Sequence, residues 1–189
     1  KITAQLLETT DAMEVVNDIL IPALDSAGKL FEQGKIFLPQ LIQTASVAQA
    51  AFEVIKTTLI ERNAAPVSRG EIVLATVKGD IHDIGKNIVR VLLENYGYTV
   101  LDLGRDVPCQ LVADTAKEHG VKLVGLSALM TTTLGAMEET IQLVKASCPD
   151  CKIVVGGAVL TADYAEKIGA DYYAKDAMET VAVAKEVVG

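Results

Sequence analysis

The sequence predicts an α/β protein in which an N-terminal helical bundle precedes a five-stranded, parallel, doubly wound sheet. Residues 1–62 show helical periodicity only, whereas residues 71–189 alternate short β-rich runs with helical segments. Half of the 189 residues are hydrophobic but only 4% are aromatic, a composition that suits helices packed on a buried parallel sheet. We therefore expect a helical domain at 1–66 and an α/β domain at 67–189.

The N-terminal half contains two long amphipathic patterns. The first, at 10–33, predicts a helix with Thr10 as its N-cap and with a kink or restart at Pro22. After a stop at 33–35, the second helix begins near residue 37, with Pro39 in its first turn. The first apolar stripe comprises Val16, Ile19, Leu20, Ala23, Leu24, Ala27, Leu30 and Phe31, and the second Leu41, Ala45, Ala48, Phe52, Ile55 and Leu59. Two helices cannot cover both stripes, so residues 1–8 and a segment before Lys1 are expected to complete the bundle.

The C-terminal half follows residues 61–70, which lack periodicity and are predicted to be a linker. Strands are predicted at 72–77, 99–103, 123–129, 153–155 and 172–174. Helices are predicted at 85–95, 109–119, 134–146, 162–168 and 177–188. This alternation is typical of an open parallel sheet, in which ligands bind beyond the carboxyl ends of the strands.

Composition excludes several classes of partner and location. The formal net charge is −8 and no basic patch is present, so we expect neither nucleic acid nor an anionic membrane surface as a partner. No apolar run reaches the ~18–20 residues that span a bilayer, and no signal peptide is recognisable. The three cysteines, an odd and small number, favour a reducing compartment. A cytoplasmic protein is therefore expected.

The loop after the first strand, 78–84, contains His82 between Asp80 and Asp83. A metal-bound imidazole usually donates its other N–H to a carboxylate, and Asp80 could accept it. Equally, His82 could be an ordinary loop histidine beside helix-capping aspartates. A phosphate-binding loop is excluded, because five residues instead of four separate Gly79 from Gly85 and no Ser or Thr follows the lysine.

Two later loops carry weaker signals. Hydroxyl groups cluster at 127–133, where they could bind a polar ligand or cap the next helix. The pair Gly156-Gly157 allows close approach of a bulky group, or simply a tight turn. Cys148 and Cys151 have the spacing of a redox or zinc pair, but they lie between a helix and a strand and too few further ligands exist for zinc. Ordinary cysteines are the favoured interpretation.

Taken together, these loops resemble the cobalamin-binding domain of cobalamin-dependent methyltransferases. The family pattern Asp-x-His-x-x-Gly, Ser-x-Leu and Gly-Gly corresponds here to residues 80–85, 127–129 and 156–157. Forty-one residues separate Gly85 from Ser127 and twenty-six separate Leu129 from Gly156, as in the family. Residues 28–40 in turn resemble the helical cap that precedes this domain in methionine synthase and in small corrinoid proteins. The resemblance covers nearly the whole chain and implies a flavodoxin- or Rossmann-like cobalamin domain behind a helical cap.

The resemblance implies a role for each motif residue. His82 would displace the dimethylbenzimidazole base of the cofactor and coordinate cobalt, Asp80 would hydrogen-bond His82, and Thr133 would continue the relay where methionine synthase has Ser. The nucleotide tail of the cofactor would be lined by Ser127, Leu129, Gly156 and Gly157, with Ala177 near the far end of the channel. Further cofactor contacts would come from Gly79, Ile81, Asp83, Gly85 and Thr131, and from Phe31 and Leu38 of the cap above the upper face.

The resemblance also implies the function. The cofactor would be cobalamin, as methylcobalamin or cob(I)alamin, and its cobalt would be the only metal. Because no substrate-binding module is recognisable, we expect a carrier subunit that is not catalytic alone. It would shuttle a methyl group from a substrate-specific methyltransferase to an acceptor methyltransferase, with a reductive activase as a further partner. The alternatives are the cap and cobalamin fragment of a methionine synthase, or a cobalamin-binding sensor.

Overall fold

A computed structural model describes residues 2–61 and 68–189 and divides the chain into two compact units. One unit consists of Lys1–Ser68 with Glu94–Gly97, and the other of Arg69–Leu93 with Tyr98–Gly189. Most of the linker expected at 61–70, and the domain boundary expected at 66/67, lie outside the described residues. Both remain predictions.

The first unit is helical, as predicted. Its elements are α1 (Ile2–Leu6), α2 (Ala12–Glu14), a π-helical segment (Val15–Leu20), α3 (Ile21–Glu32) and α4 (Leu38–Glu61). The predicted cap at Thr10 is wrong by one residue: α2 follows Asp11, whose carboxylate accepts the Glu14 N–H at 3.4 Å. The predicted restart is confirmed, because α3 begins beside Pro22. The predicted start of the next helix, with Pro39 in its first turn, is confirmed as well.

The π-helical segment corrects the expectation of one continuous apolar stripe before α4. Val16 and Leu24 are buried as predicted, but Ile19 is 42% exposed and Ala23 and Leu30 are exposed as well. A π-helix has more residues per turn than an α-helix, so it rotates the positions that follow around the helix axis. The stripe predicted for α4 is confirmed wherever its side chains are described: Leu41, Ala45, Ala48 and Ile55 are buried and Phe52 is half-buried.

The second unit has every predicted strand and helix. The strands are β1 (Glu71–Thr76), β2 (Thr99–Asp102), β3 (Leu123–Ser127), β4 (Lys152–Gly156) and β5 (Tyr172–Tyr173). The helices are α5 (Ile84–Asn95), α6 (Cys109–His119), α7 (Leu134–Ser147), α8 (Ala162–Lys167) and α9 (Ala177–Val187). Most bounds agree with the prediction within one residue. The exception is β3, which ends at Ser127 because the N–H groups of Leu129 and Met130 donate to a side chain instead of a strand.

The five strands are all parallel and lie in the order β2-β1-β3-β4-β5. The chain moves outward from β1 to β2 and then returns past β1 to β3, so the order reverses between β1 and β3. In the register of the sheet, Thr76 lies beside Ser127 and Ser127 beside Gly156. The loops after β1, β3 and β4 are therefore neighbours at one edge, where a sheet of this type binds its ligand.

The sheet is covered on both faces, as a parallel sheet requires. On one face it packs against α6, α7 and α8. Residues of that core include Val73, Ala75, Val124, Leu126, Ile153 and Val155 of the sheet and Val112, Ala116, Met137, Ile141, Val144 and Ala165 of the helices. The strand residues that alternate with them, Ile72, Leu74 and Val154, are also buried. This rigid core fixes the ends of the strands from which the loops emerge.

Candidate functional site

Asp80 lies at the centre of the carboxyl edge of the sheet and is 0% exposed. Its Oδ1 accepts the backbone N–H of His82 at 3.0 Å and lies 2.8 Å from His82 Nδ1. Its Oδ2 accepts the N–H groups of Leu129 at 2.7 Å and Met130 at 3.2 Å, and the Thr133 hydroxyl lies 3.2 Å away. One buried carboxylate thus joins the loop after β1 to the loop after β3.

The hydrogen bonds around Asp80 determine its charge. Burial raises the pKa of this carboxyl, but the bonds from His82, Leu129 and Met130 outweigh burial and lower the pKa to about 2. The carboxylate is therefore ionised at neutral pH and has only acceptor oxygens, so the proton shared with His82 lies on Nδ1. The other ring nitrogen, Nε2, then carries the lone pair that a metal requires.

His82 presents that nitrogen on an apolar surface. The His82 side chain is 45% exposed, and within the described part of the chain no hydrogen bond is made to Nε2. The neighbouring Ile81 and Ile84 are exposed, as is Leu129, whose N–H binds Asp80. Exposed large apolar side chains beside an accessible imidazole nitrogen fit a broad ligand with an apolar surface.

Gly85, the second residue of α5, supports the same fit. A Cβ atom built there would meet nothing within 4 Å, so no neighbouring protein atom requires glycine at this position. The absence of a side chain at Gly85 leaves open space beside the start of α5, which is compatible with a bulky group there.

The hydroxyl groups of the site form two sets. Thr76, which the sequence analysis missed, lies 2.9 Å from Ser127 through their hydroxyl oxygens, and it donates more weakly to the His82 carbonyl at 3.4 Å. The signal for it was a polar residue that ends an apolar strand. Thr133 is buried and has one proton, which it can donate to Met130 O at 2.8 Å or to Asp80 Oδ2 at 3.2 Å.

The two glycines after β4 are explained by the packing of the chain itself. Gly157 has a φ of 139°, and a Cβ there would lie 1.8 Å from the Ala128 carbonyl oxygen. A Cβ on Gly156 would lie 3.0 Å from the Ala174 carbonyl oxygen. Close approach of the loops after β3, β4 and β5 thus requires both glycines, and lining of a cofactor tail by these residues remains a prediction.

The remaining predicted residues are spread over both units. Gly79, with a φ of 86°, and the half-buried Asp83 flank the Asp80–His82 pair in the loop before α5. Thr131 is exposed in a 3₁₀ turn before α7, and Ala177 is the first residue of α9, so both follow carboxyl ends of strands. In the helical unit, half-buried Phe31 lies near the end of α3 and exposed Leu38 begins α4. Their contact with a cofactor stays a prediction.

Lys86 has a structural role instead of a phosphate-binding one. It is buried and forms an ion pair with Asp102, which also lies 3.3 Å from Arg90 Nη1. Burial raises the pKa of Asp102, but the bonds from Lys86 and Gly104 and the nearby cations lower it overall. This cluster ties α5 to the end of β2.

The cysteines do not form a second site. Burial, with smaller effects of Cys148 and Asp171, raises the pKa of the Cys151 thiol to about 12, which makes it unreactive at neutral pH. No cluster of three or more His, Cys, Asp or Glu side chains able to hold a bare metal ion occurs in 2–61 or 68–189. In the same ranges, no helix is long and apolar enough to cross a membrane.

Family models match both parts of the chain. One described as a B12 binding domain matches residues 70–182, and a second with the same description matches residues 1–56. Dimethylamine corrinoid protein 1 of Methanosarcina acetivorans is 43% identical over 94% of this chain and 84% of its own length.

Solved structures agree with these matches. A cobalamin-binding protein of Desulfitobacterium hafniense is 34% identical with a TM-score of 0.74, over 100% of this chain and 98% of that chain. The methanol:cobalamin methyltransferase complex of Methanosarcina barkeri matches with 29% identity and a TM-score of 0.83, over 98% of this chain and 70% of the matched chain.

Proposed function

The chain belongs to the family of B12-binding corrinoid proteins of methyltransferase systems, and from this premise we propose that it carries a methyl group on a cobalamin whose cobalt is bound by His82. The observation that carries the proposal is the buried Asp80 carboxylate, which fixes the Nδ1 proton of His82 and leaves Nε2 exposed. The exposed apolar side chains and the open space at Gly85 support cobalamin as the ligand.

When bound, cobalamin would supply a cobalt centre able to accept and release a methyl group, with methylcobalamin and cob(I)alamin as the proposed loaded and unloaded forms. The task of the protein is to orient and tune this centre. His82 would hold the cobalt in place of the benzimidazole base, and the Asp80 carboxylate, bonded to Nδ1, would raise the basicity of the imidazole. Thr133 donates to Asp80 as the outer member of the relay.

We propose that the displaced base and its nucleotide tail lie at the same edge of the sheet. The carboxyl ends of the adjacent strands β3 and β4 are Ser127 and Gly156, and Leu129 and Gly157 lie just beyond them. We propose that these four residues line the tail, with Ala177 at its far end. We propose further contacts with the cofactor from Gly79, Ile81, Asp83 and Thr131. Phe31 and Leu38 of the helical unit are proposed as cofactor contacts as well.

We propose that the chain works between two enzymes in the cytoplasm: a substrate-specific methyltransferase and an acceptor methyltransferase, with a reductive activase to restore oxidised cobalt. Two observations support a carrier over a fragment of a methionine synthase. The corrinoid relative is 43% identical over 84% of its own length, and the methanol system contains a similar chain within a methyltransferase complex. The higher identity to a dimethylamine corrinoid protein favours a methylated amine as methyl donor.

The ligand assignment is tested by reconstituting the chain with cobalamin and recording electron paramagnetic resonance spectra of the Co(II) form. We expect axial splitting from one nitrogen, which changes from a triplet to a doublet when only the histidines of the protein carry ¹⁵N. His82→Ala should abolish the histidine splitting. His119→Ala is the matched control, because His119 is also partly exposed and paired with a carboxylate at 3.0 Å. The assignment of His82 as the ligand is contradicted if the splitting stays a triplet in the ¹⁵N-histidine protein, or if histidine splitting persists in His82→Ala.

The carrier role is tested by loading the protein with a ¹³C-methyl group. Transfer should require a partner methyltransferase, and loading from dimethylamine by a dimethylamine methyltransferase should be faster than loading from methanol by a methanol methyltransferase. Equal or reversed rates would contradict the amine assignment. Absence of transfer to any corrinoid-dependent acceptor methyltransferase would contradict the carrier role.

A further inference from the structure

The loop after β2 contains an aspartate with an unusual backbone. Asp106 has a φ of 53° and is the one residue other than glycine with a positive φ within 2–61 and 68–189. The left-handed conformation is unfavourable for an L-residue, although Asp tolerates it better than most. The Asp106 side chain is exposed, so burial in a core does not impose this conformation.

Two hydrogen bonds join Asp106 to the loop that carries His82. The Asp106 N–H donates to the Asp80 carbonyl oxygen at 2.9 Å, and the Asp106 carboxylate accepts the Gly79 N–H at 2.7 Å. The same residue thus binds both backbone groups that flank the start of the Asp80–His82 segment. Turning the Asp106 N–H and carboxylate toward one stretch of chain gives a reason for the left-handed backbone.

Asp106 is itself held firmly by the end of β1. The Thr76 N–H donates to the Gly104 carbonyl at 2.9 Å, and the Val107 N–H donates to the Thr76 carbonyl at 3.1 Å. Backbone bonds on both sides of Asp106 therefore anchor it to the strand from which the His82 loop emerges. The main chain of Asp80 is fixed from the β2 side, whereas its carboxylate is fixed from the β3 side.

We propose that Asp106 is a positioning residue that sets the orientation of the Asp80–His82 pair toward the cofactor. The inference rests on the proposed function, in which His82 binds cobalt. Asp106 hydrogen-bonds neither the His82 ring nor the Asp80 carboxylate, so it acts only through the backbone of residues 79 and 80. A metal ligand must be held to within about 0.5 Å, and backbone bonds from a rigid neighbouring loop supply that restraint.

The test compares three variants at this position. Asp106→Gly removes the carboxylate and relieves the backbone strain, so it should unfold at the wild-type temperature or above. Asp106→Asn keeps an acceptor oxygen and tolerates a positive φ, so this variant should position the Gly79 N–H as the wild-type protein does. Asp106→Ala removes the acceptor of the Gly79 N–H and keeps the strained left-handed backbone, so its comparison with Asp106→Gly separates the two effects. Asp114→Ala is the matched control, since Asp114 is an exposed aspartate that accepts one side-chain bond, from Gln110 at 2.8 Å.

Two readouts are expected to move together. In the cofactor-free protein, exchange of the Gly79 amide hydrogen should accelerate about tenfold in Asp106→Gly and stay near wild type in Asp106→Asn. In reconstituted protein, the fraction of Co(II) with ¹⁵N-histidine splitting should fall and the cobalamin Kd should rise about tenfold in Asp106→Gly. Asp114→Ala should change neither.

The outcomes separate the two proposals. Wild-type protein without histidine splitting overturns the function of His82. Wild-type protein with the splitting, and Asp106→Gly with an unchanged splitting and Kd, overturns the positioning role alone. If Asp106→Gly does not fold, the wild-type Gly79 amide decides: exchange as fast as that of the neighbouring exposed Lys78 amide overturns the proposal, and slower exchange supports it.

Discussion

Two histidine–carboxylate pairs lie at opposite edges of the same sheet. They contain the same chemical groups but differ in burial and in the hydrogen bonds around the carboxylate. At the carboxyl edge, His82 Nδ1 lies 2.8 Å from Asp80, which is 0% exposed and accepts four further hydrogen bonds. At the amino edge, His119 Nδ1 lies 3.0 Å from Glu71, whose side chain is 41% exposed. A short distance between the two groups therefore identifies no site. Burial and a network that fixes the carboxylate distinguish the pair proposed to be functional from the surface pair.

The largest expected contrast between the two edges concerns glycine. Gly157→Ala should destabilise the protein by more than about 4 kcal/mol, because its Cβ would lie 1.8 Å from the Ala128 carbonyl oxygen. Gly120→Ala, at the amino edge, should cost only about 1 kcal/mol, since its φ of 59° is unfavourable but its Cβ would meet open space. Urea unfolding of both variants measures the difference, and similar losses would remove the contrast.

Removal of the carboxylates is expected to give the next largest difference. Asp80→Ala should reduce the free energy of unfolding by about 3 kcal/mol, because the N–H groups of Leu129 and Met130 would lose their acceptor inside the protein. Glu71→Ala removes an exposed pair and should cost at most about 0.5 kcal/mol. Thermal unfolding at neutral pH checks both, and an Asp80 effect as small as the Glu71 effect would show that the buried network is not tightly held.

Acid should lower the free energy of unfolding by protonating Asp80. Its pKa falls from 3.8 to about 2 on folding, so its contribution of roughly 2 kcal/mol is present above pH 4 and is lost as the pH falls from about 4 to 2. Asp80→Asn should remove this part of the pH dependence, whereas Glu71→Gln provides a matched change at the amino edge. An unchanged acid profile in Asp80→Asn would contradict the low pKa.

The smallest expected effect concerns the outer member of the relay. Thr133→Val should cost about 1 kcal/mol, because the buried hydroxyl, whose proton can go to the Met130 carbonyl or to the Asp80 carboxylate, is lost. Thr133→Ser keeps the hydroxyl and should stay within about 0.5 kcal/mol of wild type. Denaturant unfolding of the two variants separates the hydroxyl from the methyl group, and equal losses would assign the effect to packing.

Most of the fold was predictable because its signals are local. Continuous apolar runs identify β1 and β4 as strands buried on both faces, and Gly120 marks the end of α6. The π-helical segment before Pro22 was not predictable, because helical periodicity assumes a constant number of residues per turn. The early end of β3 was missed because its cause, the Asp80 carboxylate, lies 49 residues away in the sequence.

By itself, the sequence determined which residue types follow each strand. Fixed numbers of residues in the sequence separate Asp80 and His82 from Ser127 and from the glycines at the end of β4. Strand periodicity assigns all of these residues to the carboxyl edge of the sheet. Only the tertiary structure decided how they interact: that Asp80 is buried and ionised, that Thr133 reaches it, and that Asp106 holds it from the neighbouring loop. The reason is that periodicity depends on neighbours in the chain. The charge of the Asp80 carboxylate depends on donors from its own loop and from the loop after β3, and its backbone is held by the loop after β2.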